Sequence, residues 1–248
     1  MTPKINISEY ETKILKLQEH IQAYKPLSEK KLQNLKDWFN IGFTAHSNAI
    51  EWNSYTLWEV KVLIEDGITV GGKTIRETKE TENLAALTKK IWDFLDKDFL
   101  LDENFILDLH TNLLKDIEQE YLWKYRNSQV YISGSEDIPP KSWELNKLMR
   151  EFIIFCNSDT NNILKKISDI HFRFVKIHPF FDGNGRIWRL LMNLFLIKHG
   201  YFPIIFPAVT RSEYITSLWK NKSNNDFYRY FLWQMHENMS DYLRFLED

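Results

Sequence analysis

The run His178-Pro179-Phe180-Phe181-Asp182-Gly183-Asn184-Gly185-Arg186-Ile187-Trp188-Arg189 concentrates the chain's chemistry. Gly183-Asn184-Gly185 stands just before an apolar-periodic stretch, Ile187 to Leu196, that reads as a helix. Glycines there let the backbone turn so that several N–H groups converge at a helix N-terminus, a cradle for an anion such as phosphate. Arg186 and Arg189 are three apart, share one helical face and can both reach that anion through charge-assisted hydrogen bonds. Asp182 offers a hard oxygen to Mg²⁺, which would bridge nucleotide phosphates. His178, at the end of the preceding helical run, titrates near neutral pH and can accept a proton. Taken singly, each residue is more often structural: Gly-Asn-Gly corners are common, and a His before Pro can simply cap a helix. Their fixed order favours a phosphate-handling site.

The elements that must hold this segment read as mostly helical. Only eight Gly and seven Pro punctuate the sequence, and apolar residues recur at three-and-four spacing between them. Ser8 with Glu11, Thr56 with Glu59, and Thr74 with Glu77 have the spacing of capping boxes. They predict helices ended by Pro26, stopped near Gly67, and running through Ile91, Phe94 and Leu95. A further helix spans Ser28 toward Glu51, and Asp102 caps another through His110 and Leu114. Val130, Tyr131 and Ile132 are strand formers, Gly134 and Ser135 turn formers, and Pro139-Pro140 blocks helix, so a short β-hairpin is predicted within 121–140. Helical pattern resumes over Glu144 to Cys156, Ile163 to Ile177 and after Gly185, and two helices follow the Pro203 to Pro207 loop. The predicted fold is all-α, a helical bundle with one hairpin. Residues 1–55 form an N-terminal helical arm, and residues 56–248 form the main domain.

Composition narrows the class. With 44% hydrophobic and 15% aromatic residues the chain can bury a core and is not disordered. A formal charge of −2 gives no electrostatic footprint for nucleic acid or anionic membrane. The single cysteine, Cys156, excludes an internal disulfide, and no zinc-ligand pair is apparent. The N-terminus lacks a signal-peptide pattern, and no apolar stretch approaches a membrane span. A soluble, cytoplasmic protein is expected.

His178 to Arg189 resembles the Fic signature, His-x-Phe-x-(Asp/Glu)-Gly-Asn-(Gly/Lys)-Arg-x-x-Arg, with every defined position filled. Ile170-His171 and Ile177-His178-Pro179 resemble the helix leading into that signature. Tyr125-Arg126 and Val130 to Ser135 resemble the family's flap, so Val130, Tyr131 and Ile132 would line up the target polypeptide. The resemblance implies a Fic-type bundle and a protein adenylyltransferase, which places AMP from ATP on a Ser, Thr or Tyr hydroxyl of a target protein. By it, His178 is the general base, Phe180 a core anchor and Asp182 the Mg²⁺ ligand. Gly183, Asn184 and Gly185 form the anion hole, while Arg186 takes the β-phosphate and Arg189 the γ-phosphate. Attack at the α-phosphorus needs positioning and charge neutralisation more than covalent help. Tyr214 and Asn221, seven apart, match positions that contact adenosine, although two residues on one face of an ordinary helix read equally well.

Upstream, Ser47-Asn48-Ala49-Ile50-Glu51 resembles the family's inhibitory motif, (Ser/Thr)-x-x-x-Glu-(Gly/Asn), in the class with an N-terminal inhibitory helix. Ser47 and Glu51 are i and i+4 and face one side, so Glu51 could pair with Arg189 where the γ-phosphate would lie. The chain departs from the motif at Trp52, where Gly or Asn is usual. A bulky residue there would push the helix end outward, weaken the brake, or bury against the nucleotide site. Transfer of UMP or another moiety and a non-catalytic Fic-fold interaction protein are the competing readings. Gly183 and Gly185 favour AMP over phosphate transfer, and intact His178, Asp182 and Arg186 favour an enzyme. Self-modification is one expected outcome, and homo-oligomers occur among relatives. With no room after Asp248 for the winged helix that longer relatives append, no DNA role is expected.

Overall fold

Capped amphipathic runs supply the regular structure. The protein is described by a computed structural model over residues 5–94, 99–132, 137–219 and 224–247. Among these residues the helices, in chain order, are α1 (Ile7–Gln22), α2 (Glu29–Ile50), α3 (Leu57–Asp66), α4 (Ile75–Lys90), α5 (Glu103–Leu114), α6 (Leu145–Asn157), α7 (Ile163–Ile177), α8 (Asn184–Lys198), α9 (Arg211–Trp219) and α10 (Asn224–Glu247). Thr56 with Glu59 and Thr74 with Glu77 form the expected capping boxes, and Asp102 caps α5 by accepting the Phe105 N–H. The box expected at Ser8 and Glu11 is not formed. Asn6, an equally good cap, opens α1 by accepting the Glu9 N–H, and Glu11 instead accepts hydrogen bonds from Tyr228 and Asn162. The helix expected to reach Leu95 tightens after Lys90 into a 3-10 turn, Ile91–Phe94; Leu95 lies outside the described residues.

Helix α8 is buried on every side, its apolar residues packed around it and its polar side chains, Arg186, Arg189 and Asn193, paired inside the protein. It packs against α7, α2, α5 and the Ile91–Phe94 turn, while α10 packs against α1, α7 and α9. One hydrophobic core joins Ile14, Phe39, Leu113, Phe174, Trp188, Leu191 and Tyr230, so residues from both ends of the chain share it. A smaller cluster of Ala45, Tyr55, Val60 and Leu63 anchors the corner between α2 and α3. That corner delivers the C-terminal end of α2 to the N-terminal end of α8.

The fold is all-α, and no β-strand occurs among the described residues. Val130, Tyr131 and Ile132, expected in a hairpin, form no ladder, and Gly134 and Ser135 lie outside the described residues. Pro139 and Pro140 carry no N–H to donate across a ladder. Side chains close the two stems instead, the Gln129 amide donating to Pro139 O at 3.0 Å. No helix among the described residues is long and apolar enough to cross a membrane.

Candidate functional site

The loop between α7 and α8 is held from inside. α7 ends with His178 in the left-handed region, φ 49°, its N–H donating to Phe174 O at 2.9 Å, and Pro179 prevents continuation. Gly183, φ 79°, makes the opposite corner and caps α8. Phe180 is fully buried and stacks on His110, ring centroids 3.7 Å apart. The Asn184 amide bonds both the N–H and the C=O of Phe180, at 3.0 and 2.8 Å. Its side chain therefore clamps the loop, and the anion cradle is left to backbone N–H groups. His110 Nε2 lies 3.1 Å from Asp182 O, bracing the same loop from α5.

Burial pushes the His178 imidazole down to about 4, outweighing the Val175 carbonyl that favours its charged form. The ring is therefore neutral at pH 7 and able to take a proton. Burial likewise brings His110 down to about 4 and His171 well below its ordinary value of 6.5. Each binds fewer protons folded than unfolded between pH 4 and 6.5, so the stability it contributes is present above pH 6.5 and lost as pH falls toward 4. About 1–2 kcal/mol is at stake for each of His110 and His178 at pH 5. The thermal midpoint at pH 5 is expected several degrees below that at pH 7, and coincident midpoints would contradict neutral buried imidazoles.

Two cations lie beneath the loop, almost fully buried. Arg186 pairs through Nη2 with Asp182 Oδ1 at 3.2 Å and through Nη1 with Glu80 Oε1 at 3.3 Å. Asp182 Oδ1 also accepts the Gly183 N–H at 2.6 Å, and Oδ2 accepts from Arg76 Nη2 at 2.9 Å. Burial opposes ionisation of Asp182, but Arg186, the Gly183 N–H and Arg76 together hold its carboxyl below the usual range. Arg76 in turn pairs with Glu118 at 2.7 Å and Glu80 at 3.3 Å. Arg186 Nε and Arg189 Nη1 are buried with no hydrogen-bond partner. Buried donors left unmade suit a site built for an anion.

The end of α2 fills the remaining space. Arg189 donates from Nε to Ser47 Oγ and from Nη2 to Ser47 O, both at 2.9 Å, and pairs with Glu51 Oε1 at 2.7 Å. A Cβ on Gly185 would stand 2.2 Å from that carboxylate oxygen, so only glycine admits the carboxylate here. Trp52 neither displaces the helix nor enters the site. It is 77% exposed, its ring lying 4.1 Å from the Arg211 guanidinium carbon. Its φ of 70° is the left-handed turn that Gly or Asn adopts most easily. Arg211 donates to Ile50 O at 2.7 Å, tying off a terminal carbonyl of α2 while stacking on the indole.

The other expected positions are placed less directly. Tyr214 is buried beside Arg189, its hydroxyl 3.0 Å from His171 Nε2, and it supports the cation from behind. Asn221 lies outside the described residues. Val130, Tyr131 and Ile132 follow Arg126, whose guanidinium donates to His178 O at 2.8 Å. Sequence reasoning did not single out Arg76, Glu80, Arg211 or the role of Arg126. Arg76 and Glu80 look like an ordinary i,i+4 surface pair, and nothing local distinguishes Arg211.

Residues 100–196 match the Fic/DOC family. Over 172 residues, 68% of this chain, the sequence is 37% identical to a protein adenylyltransferase Fic of Drosophila mojavensis, of which the match covers 34%. The chain thus spans about a third of the length of the curated relatives it matches. A Fic domain containing signaling protein from Bacteroides thetaiotaomicron superposes with a TM-score of 0.86 at 24% identity, covering 95% of this chain and 97% of the other. Fic-1 of C. elegans superposes at 0.84 and 24% identity, over 96% and 72% of the two chains. The chain belongs to the Fic/DOC family, with the buried arginines and the His178 loop inside the matched region.

Proposed function

We propose that the chain is a protein adenylyltransferase that moves AMP from ATP to a Ser, Thr or Tyr hydroxyl of a target protein, and that Glu51 restrains it. The observation that carries this reading is the placement of a neutral His178 above two buried, incompletely bonded arginines at a helix N-terminus. The names of the curated relatives support the same reaction. In the proposed step the target oxygen attacks the α-phosphorus while His178 takes its proton. The new P–O bond forms as the bond to pyrophosphate breaks. Arg186 and the Gly183–Gly185 backbone hold the leaving charge, and Arg189 holds the γ-phosphate.

The residues present fit a magnesium ion. Among the described residues no cluster of His, Cys, Asp or Glu could cage a metal alone, but Mg²⁺ on nucleotides takes one or two carboxylates plus phosphate oxygens and water. Asp182, ionised and partly exposed, would hold it, and the ion would supply charge neutralisation at the phosphates. On this reading residues 1–55 are the arm that carries the brake, residues 56–248 the catalytic part, and the cytoplasm the place of action.

Glu51 and a γ-phosphate compete for Arg189, so the resting protein should be slow. Glu51→Gly incubated with labelled ATP and Mg²⁺ is expected to raise AMP transfer, first visible as self-modification, by about tenfold or more. Arg189→Ala should not mimic it, since it loses the phosphate contact with the brake. Equal initial rates for wild type and Glu51→Gly at saturating ATP would sink the autoinhibition. No AMP on any protein from either would sink the reaction itself.

A further inference from the structure

Arg126 is buried to within 2% of its surface, yet among the described residues no carboxylate pairs with it. Its nitrogens go instead to carbonyls of separate stretches of chain. Nε donates to His178 O at 2.8 Å, Nη1 to Ser128 O at 2.8 Å, and Nη2 to Pro140 O at 2.6 Å. Its own backbone N–H donates to Pro179 O at 2.9 Å. Ser128 and Pro140 are the two stems of the segment that resembles the target-lining flap, and His178 is the proposed base. Burying a cation without a counter-charge is unfavourable, and an apolar residue could fill the same space without that penalty. What an apolar residue could not supply is a rigid planar fork that fixes three carbonyls relative to one another. Two further bonds stiffen the stems, Gln129 to Pro139 O at 3.0 Å and Ser142 Oγ to Asn127 O at 3.1 Å. Neither of them reaches the His178 loop; Lys176 at the end of α7 pairs with Asp137 of the second stem, but among the described residues only Arg126 hydrogen-bonds to both stems and to the His178 loop itself.

We infer that Arg126 is a positioning residue: its fork sets the register between a target backbone lying along the stems, residues 128–132 and 137–140, and the imidazole of His178. It touches neither ATP nor the reacting hydroxyl and acts through the segments it joins. The target arm of this inference rests on the adenylyltransferase reading above, whereas the mechanical coupling of the stems to the His178 loop does not. A misplacement of about 1 Å between bound hydroxyl and base is enough to lower transfer by as much as a hundredfold.

The test uses the full chain carrying Glu51→Gly, with Arg126→Lys and Arg126→Gln added separately. Lysine keeps the charge and loses the fork; glutamine loses the charge and keeps a planar amide. Affinity for ATP, measured by calorimetry, is expected to stay within about twofold of the parent, while self-labelling at saturating ATP falls by about tenfold or more in both. Backbone hydrogen exchange is expected to quicken at residues 128–132, 137–140 and 178–180, and to stay unchanged in α8 and α10. Labelling at the parent rate in both variants overturns the inference. So does a loss of ATP affinity in step with labelling, which marks a general structural role. Unchanged exchange at the stems and the His178 loop overturns the coupling whatever the labelling shows. If the Glu51→Gly parent carries no label while exchange changes as expected, the clamp stands and the adenylyltransferase reading fails.

Discussion

Replacing His178 with alanine is expected to cut AMP transfer by about a hundredfold or more while leaving ATP affinity nearly intact. The separation of the two effects follows from how the loop is held. Phe180 on His110, the Asn184 amide on Phe180, and Arg126 on the His178 carbonyl fix the backbone without the imidazole. Alanine retains that carbonyl and meets strain only from the left-handed φ, about 1–2 kcal/mol that the histidine also bears. Arg186 and Arg189, the proposed phosphate ligands, lie on α8 and make no hydrogen bond to the ring. What is lost is the proposed proton acceptor. Because burial keeps the ring neutral down to about pH 4, the acid limb of the parent's pH–rate profile should fall below the ordinary histidine range. The assay is initial self-labelling in a Glu51→Gly background, with nucleotide binding by calorimetry. Equal rates with and without the imidazole would remove His178 from the mechanism.

Asp182→Ala should be at least as damaging, and its signature differs. The carboxylate pairs with both Arg76 and Arg186 and is the group proposed to hold Mg²⁺ on the phosphates. Its removal should lower transfer by about a hundredfold or more and make the residual rate insensitive to added Mg²⁺. ATP affinity without metal should hold or rise, because Arg76 and Arg186 lose the anion that occupies them. A variant that keeps both its rate and its response to Mg²⁺ would reduce the Gly-Asn-Gly turn to a helix corner.

The geometry of the site was legible because it is local. His178, Asp182, Gly183, Gly185, Arg186 and Arg189 fall within one loop and one helical turn or two, where spacing translates directly into shared faces. The reach of Glu51 to Arg189 was legible for a similar reason: Ser47 and Glu51 point one way on α2, and the pair closes at 2.7 Å. Misreadings arose where two local solutions were nearly equivalent. Asn6 and Ser8 are both good caps, and the packing of Glu11 against Tyr228 and Asn162 selected Asn6. Val130 to Ile132 have strand propensity, but a ladder needs donors that Pro139 and Pro140 lack. Long-range partners were hidden because each looks ordinary in sequence. Arg211 meets Ile50, and Arg76 meets Asp182, only after α8 has brought distant segments together. Trp52 read as a steric intrusion because side-chain volume is visible in sequence, whereas a positive φ with its side chain turned to solvent is not.

Burying Arg189 has a consequence for how this protein can change over generations. A domain keeps a folding margin of only about 5–15 kcal/mol. Stranding a buried cation removes about 3–5 kcal/mol when nothing remains to bond it, and less here, where the Ser47 oxygens stay in place. Glu51 therefore serves the folded state as a counterion, apart from its proposed competition with a phosphate. A lineage that loses this carboxylate would lose part of its folding margin together with the proposed restraint, until a bound anion supplies the missing negative charge. Selection for a chain that simply folds would then preserve the restraint, even in a cell that never needs the enzyme held back.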